Sequence, residues 1–307
     1  MKKKIAVLGA TGHISKSLIY NLSRQKRYDL FLFARNLQKL KKFLKEINCE
    51  NEHNVNTFNK FDSGKYDAII NCVGVGIPSK VKELGSEIFN LTESFDNMVI
   101  EYLNKHSKSI YIYLSSGAVY GSDFKMPVCD STCSKWNIKN IGEGDYYGIS
   151  KLNCEAKHRS LKKLNIVDLR IFNYFSRFIE LDSKYLLTEI ITCIKNEKEF
   201  ITNRENIIRD FIHPEDLVAL IQNFINKKNI NDAFDVYSKK PIKKFEILNF
   251  FKKEYDLKYH VSNDISISSI TGNKNSYYSK SRKAESIGYI PKYSSLDCIK
   301  YETKELM

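Results

Sequence analysis

The stretch IAVLGATGHIS, residues 5–15, decides the fold of this chain. Its first four residues are all apolar, which is typical of a central parallel strand covered on both faces. Gly9 and Gly12 follow, and residues 18–22 then show helical spacing. Glycines between a strand and a helix let the backbone approach a pyrophosphate, which the free amides of the helix N-terminus bind. The stretch therefore favours a dinucleotide-binding turn over a plain strand-to-helix turn, with Ser15 replacing the usual third glycine.

Further apolar runs of strand length predict a parallel sheet with helices between most of the strands. These runs are residues 30–33, 55–62, 68–74, 110–114, 167–173 and 233–237. Only residues 63–67 separate the third and fourth strands, which is too few for a full crossover helix. We expect an α/β fold, a Rossmann-type doubly wound parallel sheet with a smaller mixed α/β substrate-binding region. The expected domains are 1–173 with 210–237 for the dinucleotide, and 174–209 with 238–307 for the substrate.

Composition excludes several classes of protein. The 307 residues are 42% hydrophobic and 28% charged, and no apolar run approaches the about 18 residues of a membrane helix. Seven cysteines are scattered, and only Cys129 and Cys133 are close, without a second pair to complete a zinc site. We therefore expect no membrane span, no metal and a reducing cytoplasm.

The net charge of +13 does not indicate a nucleic-acid partner. The lysines are spread along the chain, with no basic arm, no aromatic-interleaved basic motif and no zinc-finger spacing. A basic surface would equally suit a substrate that carries phosphates. We expect no nucleic-acid binding.

Arg35 follows the second predicted strand. In dinucleotide-binding units, an acidic residue near this strand end commonly holds the ribose hydroxyls of NAD, whereas an arginine accommodates the extra phosphate of NADP. This chain has an arginine and no acid there. The sequence therefore favours NADP over NAD, while the plainer alternative is that Arg35 only opens the solvated helix at 37–47.

A tyrosine and a lysine are candidates for proton transfer. Tyr147 and Lys151 are four residues apart, so on a helix they lie on one face. A nearby ammonium favours phenolate, and lowering a tyrosine pKa from about 10 to about 7 takes roughly 4 kcal/mol. Ser116 ends the fifth predicted strand, so its hydroxyl should open into the ligand crevice of such a sheet. The alternative for the pair is a chance contact on a helix surface.

Four stretches together resemble a known family. They are residues 9–15, residues 116–121, Tyr147 with Lys151, and residues 209–213. In this order and spacing they resemble the extended short-chain dehydrogenase/reductase family, which comprises NAD(P)-dependent nucleotide-sugar epimerases, dehydratases and reductases. The resemblance covers nearly the whole chain. It implies an enzyme that acts on a nucleotide-diphosphate sugar.

The resemblance also implies roles for individual residues. Ser116 would hydrogen-bond the reacting sugar oxygen, Tyr147 would transfer the proton, and Lys151 would hold the nicotinamide ribose and lower the tyrosine pKa. The implied cofactor site consists of Gly9, Thr11, Gly12, His13, Ile14, Arg35, Asp62, Cys72, Val73, Gly74, Tyr147, Lys151 and Phe172. The implied substrate site consists of Gly76, Ser116, Asn173 and Arg209.

Positions that differ within the family narrow the chemistry. Its dehydratases carry an acidic pair directly after the serine, where this chain has Gly117 and Ala118. Its epimerases acting at carbons 3 and 5 use a cysteine, replaced here by Ala118, and a later histidine, which residues 173–209 lack. Two candidate functions remain, a 4-keto reductase and a 4-epimerase with tightly held NAD, and Arg35 favours the reductase. A non-catalytic NADP-binding regulator or scaffold is less favoured, because such proteins usually lose the tyrosine or the lysine.

Two amphipathic helical patterns suggest self-association. They cover residues 89–103 and 147–164. In relatives of this kind such helices pair across a two-fold axis, so the resemblance implies a homodimer. The nucleotide base, the sugar and the stereochemistry at carbon 4 stay open at this point.

Overall fold

The computed structural model describes residues 2–262 and 274–307. The strands are β1 (Lys3–Leu8), β2 (Tyr28–Phe33), β3 (Asn54–Asn56), β4 (Ala68–Asn71), β5 (Ile110–Ser116), β6 (Asn165–Ile171), β7 (Asn173–Tyr174), β8 (Phe200–Thr202), β9 (Ile208–Arg209), β10 (Phe211–Ile212), β11 (Asn231–Val236), β12 (Ile242–Lys243), β13 (Tyr259–Val261) and β14 (Ser276–Tyr277). The helices are α1 (His13–Ser23), α2 (Leu37–Glu46), α3 (Pro78–Leu84), α4 (Glu87–Lys105), α5 (Glu143–Ser160), α6 (Leu186–Lys195), α7 (Pro214–Ile225), α8 (Lys244–Tyr255) and α9 (Ser295–Lys304). None of these helices is long and apolar enough to cross a membrane.

Seven parallel strands form the central sheet in the order β11-β6-β5-β4-β1-β2-β3. From β1 the chain builds outward through β2 and β3, and it then returns to the other side of β1 for β4. The strand order therefore reverses between β1 and β4, where the carboxyl ends of the strands open a ligand crevice. This arrangement confirms the predicted Rossmann-type α/β fold.

Alternate residues of β1 enter two different cores. Ile5 and Val7 pack on the face covered by α1, α2 and α7, whereas Ala6 and Leu8 pack on the face covered by α4 and α5. All four side chains are fully buried. A strand covered on both faces is apolar at every position, and this explains why the run lacks the alternation of a half-exposed strand.

The third predicted strand, residues 55–62, is wrong over most of its length. Strand β3 ends at Asn56, and a 3₁₀ helix, Phe58–Ser63, follows it. Phe61 is buried and stacks on Tyr66. The apolar residues of this run therefore pack into the core as the chain returns to β4. A short apolar run does not reveal whether the backbone is extended or helical.

A further core lies among α6, α8 and α9. It contains Leu187 and Ile191 of α6, Phe251 of α8 and Ile299 of α9. The small sheets β12-β9-β14, β13-β8 and β10-β7 lie outside the central sheet. Residues near 284–289 instead pack on the core of the central sheet. The expected division of the chain into two domains stays a prediction.

Candidate active site

The glycine loop after β1 lies tight against the end of β4. Gly9 has a φ of +75°, and a Cβ at this residue would lie 3.1 Å from the backbone of Cys72 and Val73. The buried Ser15 hydroxyl lies 2.7 Å from the Gly9 carbonyl oxygen and 2.9 Å from that of Gly12. The serine therefore fits in place of the third glycine, and its hydroxyl fixes the loop.

The N-terminus of α1 is free to bind an anion. Gly12 is the N-cap, no side chain caps the helix, and the first turn carries no acidic residue. Thr11, Gly12, His13 and Ile14 are partly exposed at this turn. The first amides of a helix lack intrahelical partners and carry the positive end of its dipole. The turn can therefore hold a phosphate through its backbone.

His13 does not add a charge to this turn. Its ring meets Tyr174 edge-on with the centroids 5.2 Å apart, and Nε2 is buried with no hydrogen-bond partner among the described residues. Burial lowers the pKa of His13 to about 4. The imidazole is therefore neutral at pH 7, and anion binding at this turn depends on the backbone.

Arg35 lies directly after β2, at the carboxyl edge of the sheet, with its side chain exposed. Within residues 2–262 and 274–307, no hydrogen bond or ion pair engages its guanidinium. An unpaired guanidinium at this strand end is free to bind a phosphate in the bidentate manner that arginine favours.

A glutamate bridges two helices across the glycine loop. Glu180 pairs with Lys39 of α2 at 2.9 Å and with Lys80 of α3 at 3.2 Å. The hydrogen bond from Lys39 and the neighbouring charges lower the pKa of Glu180 to about 2. Because α2 follows β2 and α3 follows β4, the bridge spans the strand end of β1 between them. No local pattern of the sequence indicates this contact, because it joins residues far apart in the chain.

Asp62 is wrongly assigned to the cofactor site. It lies in the 3₁₀ helix after β3, is 60% exposed, and pairs with Lys105 at 2.7 Å. Lys105 ends α4, which leads to the start of β5. Asp62 therefore lies toward the amino edge of the sheet, away from the glycine loop. Strand β3 ends at Asn56, so by Asp62 the chain has already turned back toward the start of β4.

The end of β4 supplies backbone to the same crevice. The Asn71 side-chain oxygen accepts a hydrogen bond from the Val73 amide at 2.9 Å and fixes the turn. A Cβ at Gly74 would lie 3.4 Å from Lys151 Nζ, and the Gly76 carbonyl accepts a hydrogen bond from the Tyr185 hydroxyl. Burial raises the pKa of the Cys72 thiol, which belongs to the same segment, to about 12. The thiol is therefore unreactive, and this segment contributes backbone and space.

The predicted catalytic groups come from β5 and α5. Ser116 ends β5, is buried, and accepts a hydrogen bond from the Ala118 amide at 3.2 Å. Its hydroxyl is a hydrogen-bonding neighbour of the Tyr147 hydroxyl on α5, where it lowers the pKa of the phenol. Lys151, one turn further, donates to the Leu114 carbonyl at 2.9 Å. The structure thus brings Ser116 and Tyr147 together and places the ammonium of Lys151 beside Gly74.

Gly148 allows α5 to approach the serine. A Cβ there would lie 2.6 Å from the Ala118 carbonyl oxygen and 2.5 Å from the Trp136 ring. Trp136 in turn donates its indole N–H to the Val119 carbonyl at 3.3 Å. Any larger residue at position 148 would push Tyr147 away from Ser116. Trp136 therefore packs against the serine loop and holds α5 in place.

The surroundings of Tyr147 within the chain oppose the expected lowering of its pKa. Burial raises the pKa of this phenol, and the hydrogen bond with Ser116 opposes the rise only in part. Lys151 does not contribute, because its ammonium is turned to the Leu114 carbonyl and lies 4.4 Å from the Tyr113 ring centroid. Tyr147 is therefore a neutral phenol, able to give a proton.

Tyr277 of β14 contacts Ser116, although the sequence did not predict it as a site residue. Its hydroxyl lies 3.3 Å from Ser116 Oγ, and its ring packs against Phe172 with the centroids 5.1 Å apart. The side-chain amide of Asn173 donates to its carbonyl at 3.3 Å. Phe172 also packs so closely on Gly117 that a Cβ there would lie 2.4 Å away. Phe172 and Asn173 are thus part of the wall around the serine.

Two half-buried cations lie beside Tyr277. Arg209 donates to the Lys274 carbonyl at 2.6 Å, and Lys274 Nζ lies 4.5 Å from the Tyr277 ring centroid. Burial lowers the pKa of Arg209 to about 10 and that of Lys274 to about 8. No carboxylate in the described part of the chain pairs with either. Since charges withdrawn from water are normally paired, this pair of half-buried cations can hold an anion.

Sequence comparison identifies the family of this chain. The model of the NAD dependent epimerase/dehydratase family matches residues 5–238, which is most of the chain. The chain belongs to this family. Membership confirms the resemblance drawn from the four stretches, and it confirms the prediction of an enzyme. No curated protein matches the chain in sequence.

Solved structures share the fold of this epimerase/dehydratase family member along its whole length. UDP-glucuronic acid 4-epimerase from Bacillus cereus, solved with UDP-glucuronic acid and NAD, has a TM-score of 0.81 at 18% identity, covering 99% of this chain and 98% of that one. UDP-glucose 4-epimerase from Thermotoga maritima, solved with UDP-glucose, has 0.79 at 15%, covering 98% of each. dTDP-glucose 4,6-dehydratase from Bacillus anthracis, solved with NAD, has 0.77 at 15%, covering 99% and 96%. At these identities the likeness concerns the fold.

A buried charge network lies behind the catalytic groups of this family member. His158 of α5 contacts Asp168 and Asp96, each at 2.7 Å. Burial lowers the pKa of His158, but the hydrogen bonds with Asp168 and Asp96 outweigh it and raise the pKa to about 9. Asp96 also accepts from the Tyr111 hydroxyl, which accepts from the Asn71 amide, each at 2.9 Å. The network thus reaches the turn after β4.

Proposed function

We propose that the chain is an NADPH-dependent reductase that converts the 4-keto group of a nucleotide-diphosphate 6-deoxy sugar to an alcohol. The half-buried pair Arg209 and Lys274 carries the proposal. Tyr277 joins this pair to Ser116, so an anionic group and a reacting oxygen would be held on either side of one ring. A sugar attached to a diphosphate presents both, and the diphosphate would supply a negative charge that no carboxylate of residues 2–262 and 274–307 gives the two cations.

The residues around β1 and β2 fit NADPH. The uncapped N-terminus of α1 would hold the pyrophosphate through its amides, and Gly9 permits the close approach. The exposed Arg35, which pairs with nothing in the described part of the chain, would bind the 2′-phosphate that distinguishes NADP from NAD. Lys151, beside Gly74, would hold the nicotinamide ribose.

In the proposed mechanism, the chain positions the ketone and delivers a proton. NADPH, when bound, supplies the hydride to carbon 4. Tyr147, kept neutral by burial, donates its hydroxyl proton to the carbonyl oxygen as negative charge develops there. Ser116 steadies that oxygen by a hydrogen bond. The product is an alcohol, and Tyr147 regains its proton from solvent before the next turnover.

A 4-epimerase that retains NAD is the second candidate. The Glu180 bridge to Lys39 and Lys80 favours it, because a bridge across the glycine loop would slow the release of a cofactor. Solved neighbours with the same fold include 4-epimerases in complexes with NAD. A scaffold that binds NADP without catalysis is the third candidate.

Incubation with a 4-keto-6-deoxy sugar nucleotide and NADPH separates these candidates. Loss of nicotinamide absorbance in proportion to the alcohol formed supports the reductase. Interconversion of UDP-sugars without added cofactor, with NAD released on denaturation, supports the epimerase instead. Binding of NADPH without either reaction supports the scaffold.

We also propose a cytoplasmic homodimer. Every cysteine in the described residues is a free thiol, which suits a reducing compartment. Helices α4 and α5 lie side by side and would pair with the same helices of a second copy. A monomeric mass from solution scattering would contradict the dimer.

A further inference from the structure

Three potential metal ligands meet at the edge of the sheet opposite the candidate active site. Cys49, Glu52 and His53 lie in the loop between α2 and β3, which enters β3 at its amino end. One ligand atom of each residue lies within 4.8 Å of those of the other two. Cys49 is buried, His53 is half-buried and Glu52 is exposed.

The hydrogen bonds of Ser23 fix the state of the histidine. Ser23 Oγ lies 2.6 Å from the Ile19 carbonyl oxygen and 2.6 Å from His53 Nε2. A hydroxyl has one hydrogen, and the carbonyl can only accept, so the hydroxyl donates to Ile19 and accepts from Nε2–H. In a neutral ring the lone pair then lies on Nδ1.

His53 Nδ1 is buried and has no hydrogen-bond partner among the described residues. A buried nitrogen lone pair without a donor costs free energy unless something binds it. Metal-bound histidines show this arrangement, with one nitrogen on the metal and the other donating to a fixed acceptor. Ser23 is such an acceptor.

We propose that Cys49, Glu52 and His53 bind a zinc-class divalent cation, with water completing a tetrahedron. Thiolate, imidazole and carboxylate are the three donors that zinc takes in proteins, and a soft sulfur donor disfavours magnesium and calcium. The site would tie the loop to α1 through Ser23. It would also anchor β3, a strand of three residues at the edge of the sheet. The proposal does not rest on the proposed reductase function.

The site has no cysteine pair, and this is why the sequence predicted no metal. Cys49 is separated from Cys72 and the other cysteines, and the ligand spacing is a cysteine followed by glutamate and histidine at positions 52 and 53. Only the loop conformation brings the three ligand atoms together.

Titration of the tag-free, chelator-treated full chain with Co²⁺ tests the site. We expect one equivalent to bind, with ligand-field bands of a four-coordinate ion and a thiolate-to-cobalt charge-transfer band, and Zn²⁺ to displace it. Cys49→Ser should abolish the charge-transfer band. Ser23→Ala, which removes the acceptor for Nε2–H, should weaken Zn²⁺ binding by about 10–100-fold.

Matched control variants show whether the metal binds at this site or at another thiol. Cys193→Ser, at a half-buried thiol, and the double variant Cys129→Ser/Cys133→Ser should retain both the band and the affinity. Glu52 is exposed, so Glu52→Gln should fold normally, and it should weaken Zn²⁺ binding even if Cys49→Ser is unstable. The proposal is overturned if Glu52→Gln binds Zn²⁺ as the parent does, or if loss of Cys129 and Cys133 removes the band.

Discussion

The two halves of the candidate site are built differently. The glycine-loop side, residues 9–15 with Arg35, offers backbone amides and an exposed guanidinium. The catalytic side, around Ser116, Tyr147 and Tyr277, consists of buried or half-buried side chains from separate elements. Backbone groups bind a phosphate with little dependence on their surroundings, whereas buried hydroxyls and cations depend on every neighbour. Substitutions should therefore affect binding on the first side, and turnover or stability on the second.

Replacing the phenol of the catalytic side should have the largest effect. Tyr147→Phe removes the proton donor and should lower kcat by about 10²–10⁴-fold, while NADPH affinity stays nearly unchanged. Tyr146→Phe is the matched control, because that ring faces Phe89, 5.6 Å away, and should leave kcat intact. Steady-state kinetics and NADPH fluorescence titration measure the two quantities. Equal losses in kcat and cofactor affinity would remove the distinction between the two sides.

The buried network behind the catalytic side should make stability depend on pH. The pKa of His158 is raised from 6.5 to about 9, so its stabilisation is complete below pH 6.5 and is lost as the pH rises through about 9. The loss amounts to roughly 3 kcal/mol in the free energy of unfolding. Denaturant unfolding at pH 6 and pH 9.5 measures it. His158→Gln should flatten this dependence, whereas His106→Gln should not.

The glycine-loop side should decide cofactor choice through one exposed charge. Arg35→Ser should weaken NADPH binding by about 10–100-fold, the value of a charge-assisted contact, and leave NADH binding unchanged. Arg27→Ser, at an exposed arginine that precedes β2, is the control. Fluorescence titration with both cofactors checks the result. Equal affinity of the parent for NADH and NADPH would refute the NADP assignment.

Replacing one of the two half-buried cations should raise the stability of the chain and weaken substrate binding. Lys274→Met removes a charge that pairs with no carboxylate among the residues that the structure describes, and it should stabilise the ligand-free chain by about 1–2 kcal/mol. The same change should raise KM for the sugar nucleotide by roughly tenfold, since a charge-assisted contact is lost. Lys280→Met, an exposed lysine six residues later, should do neither. Thermal unfolding and kinetics together test this, and a destabilised Lys274→Met variant would contradict an unpaired cation.

The smallest effect is expected in the glycine loop itself. Ser15→Ala removes the contacts with the Gly9 and Gly12 carbonyls and should cost about 1 kcal/mol of unfolding free energy. Affinity for NADPH should fall only slightly, because the amides of α1 remain. Ser15→Gly, the usual family residue, should behave similarly. A large loss of cofactor binding in either variant would show that the hydroxyl acts on the phosphate directly.

Local patterns predicted the elements that depend on neighbouring residues. The glycine loop, the buried strands and the shared helix face of Tyr147 and Lys151 all follow from spacings of a few residues. The predictions of the third strand and of Asp62 as a cofactor residue were wrong because Phe58 and Phe61 resemble strand residues but pack inward from a 3₁₀ helix. An apolar run does not reveal which backbone conformation buries it.

The sequence by itself determined the fold class, the dinucleotide turn and the serine, tyrosine and lysine candidates, because those signals are local and periodic. Only the tertiary structure placed Tyr277 on Ser116, 161 residues away, brought Arg209 and Lys274 together with no carboxylate from the described residues, and bonded Lys151 to the Leu114 carbonyl. These features depend on burial and on which distant groups become neighbours. Burial and such contacts set the charge state of a side chain, and neither is encoded in the spacing of residues along the chain.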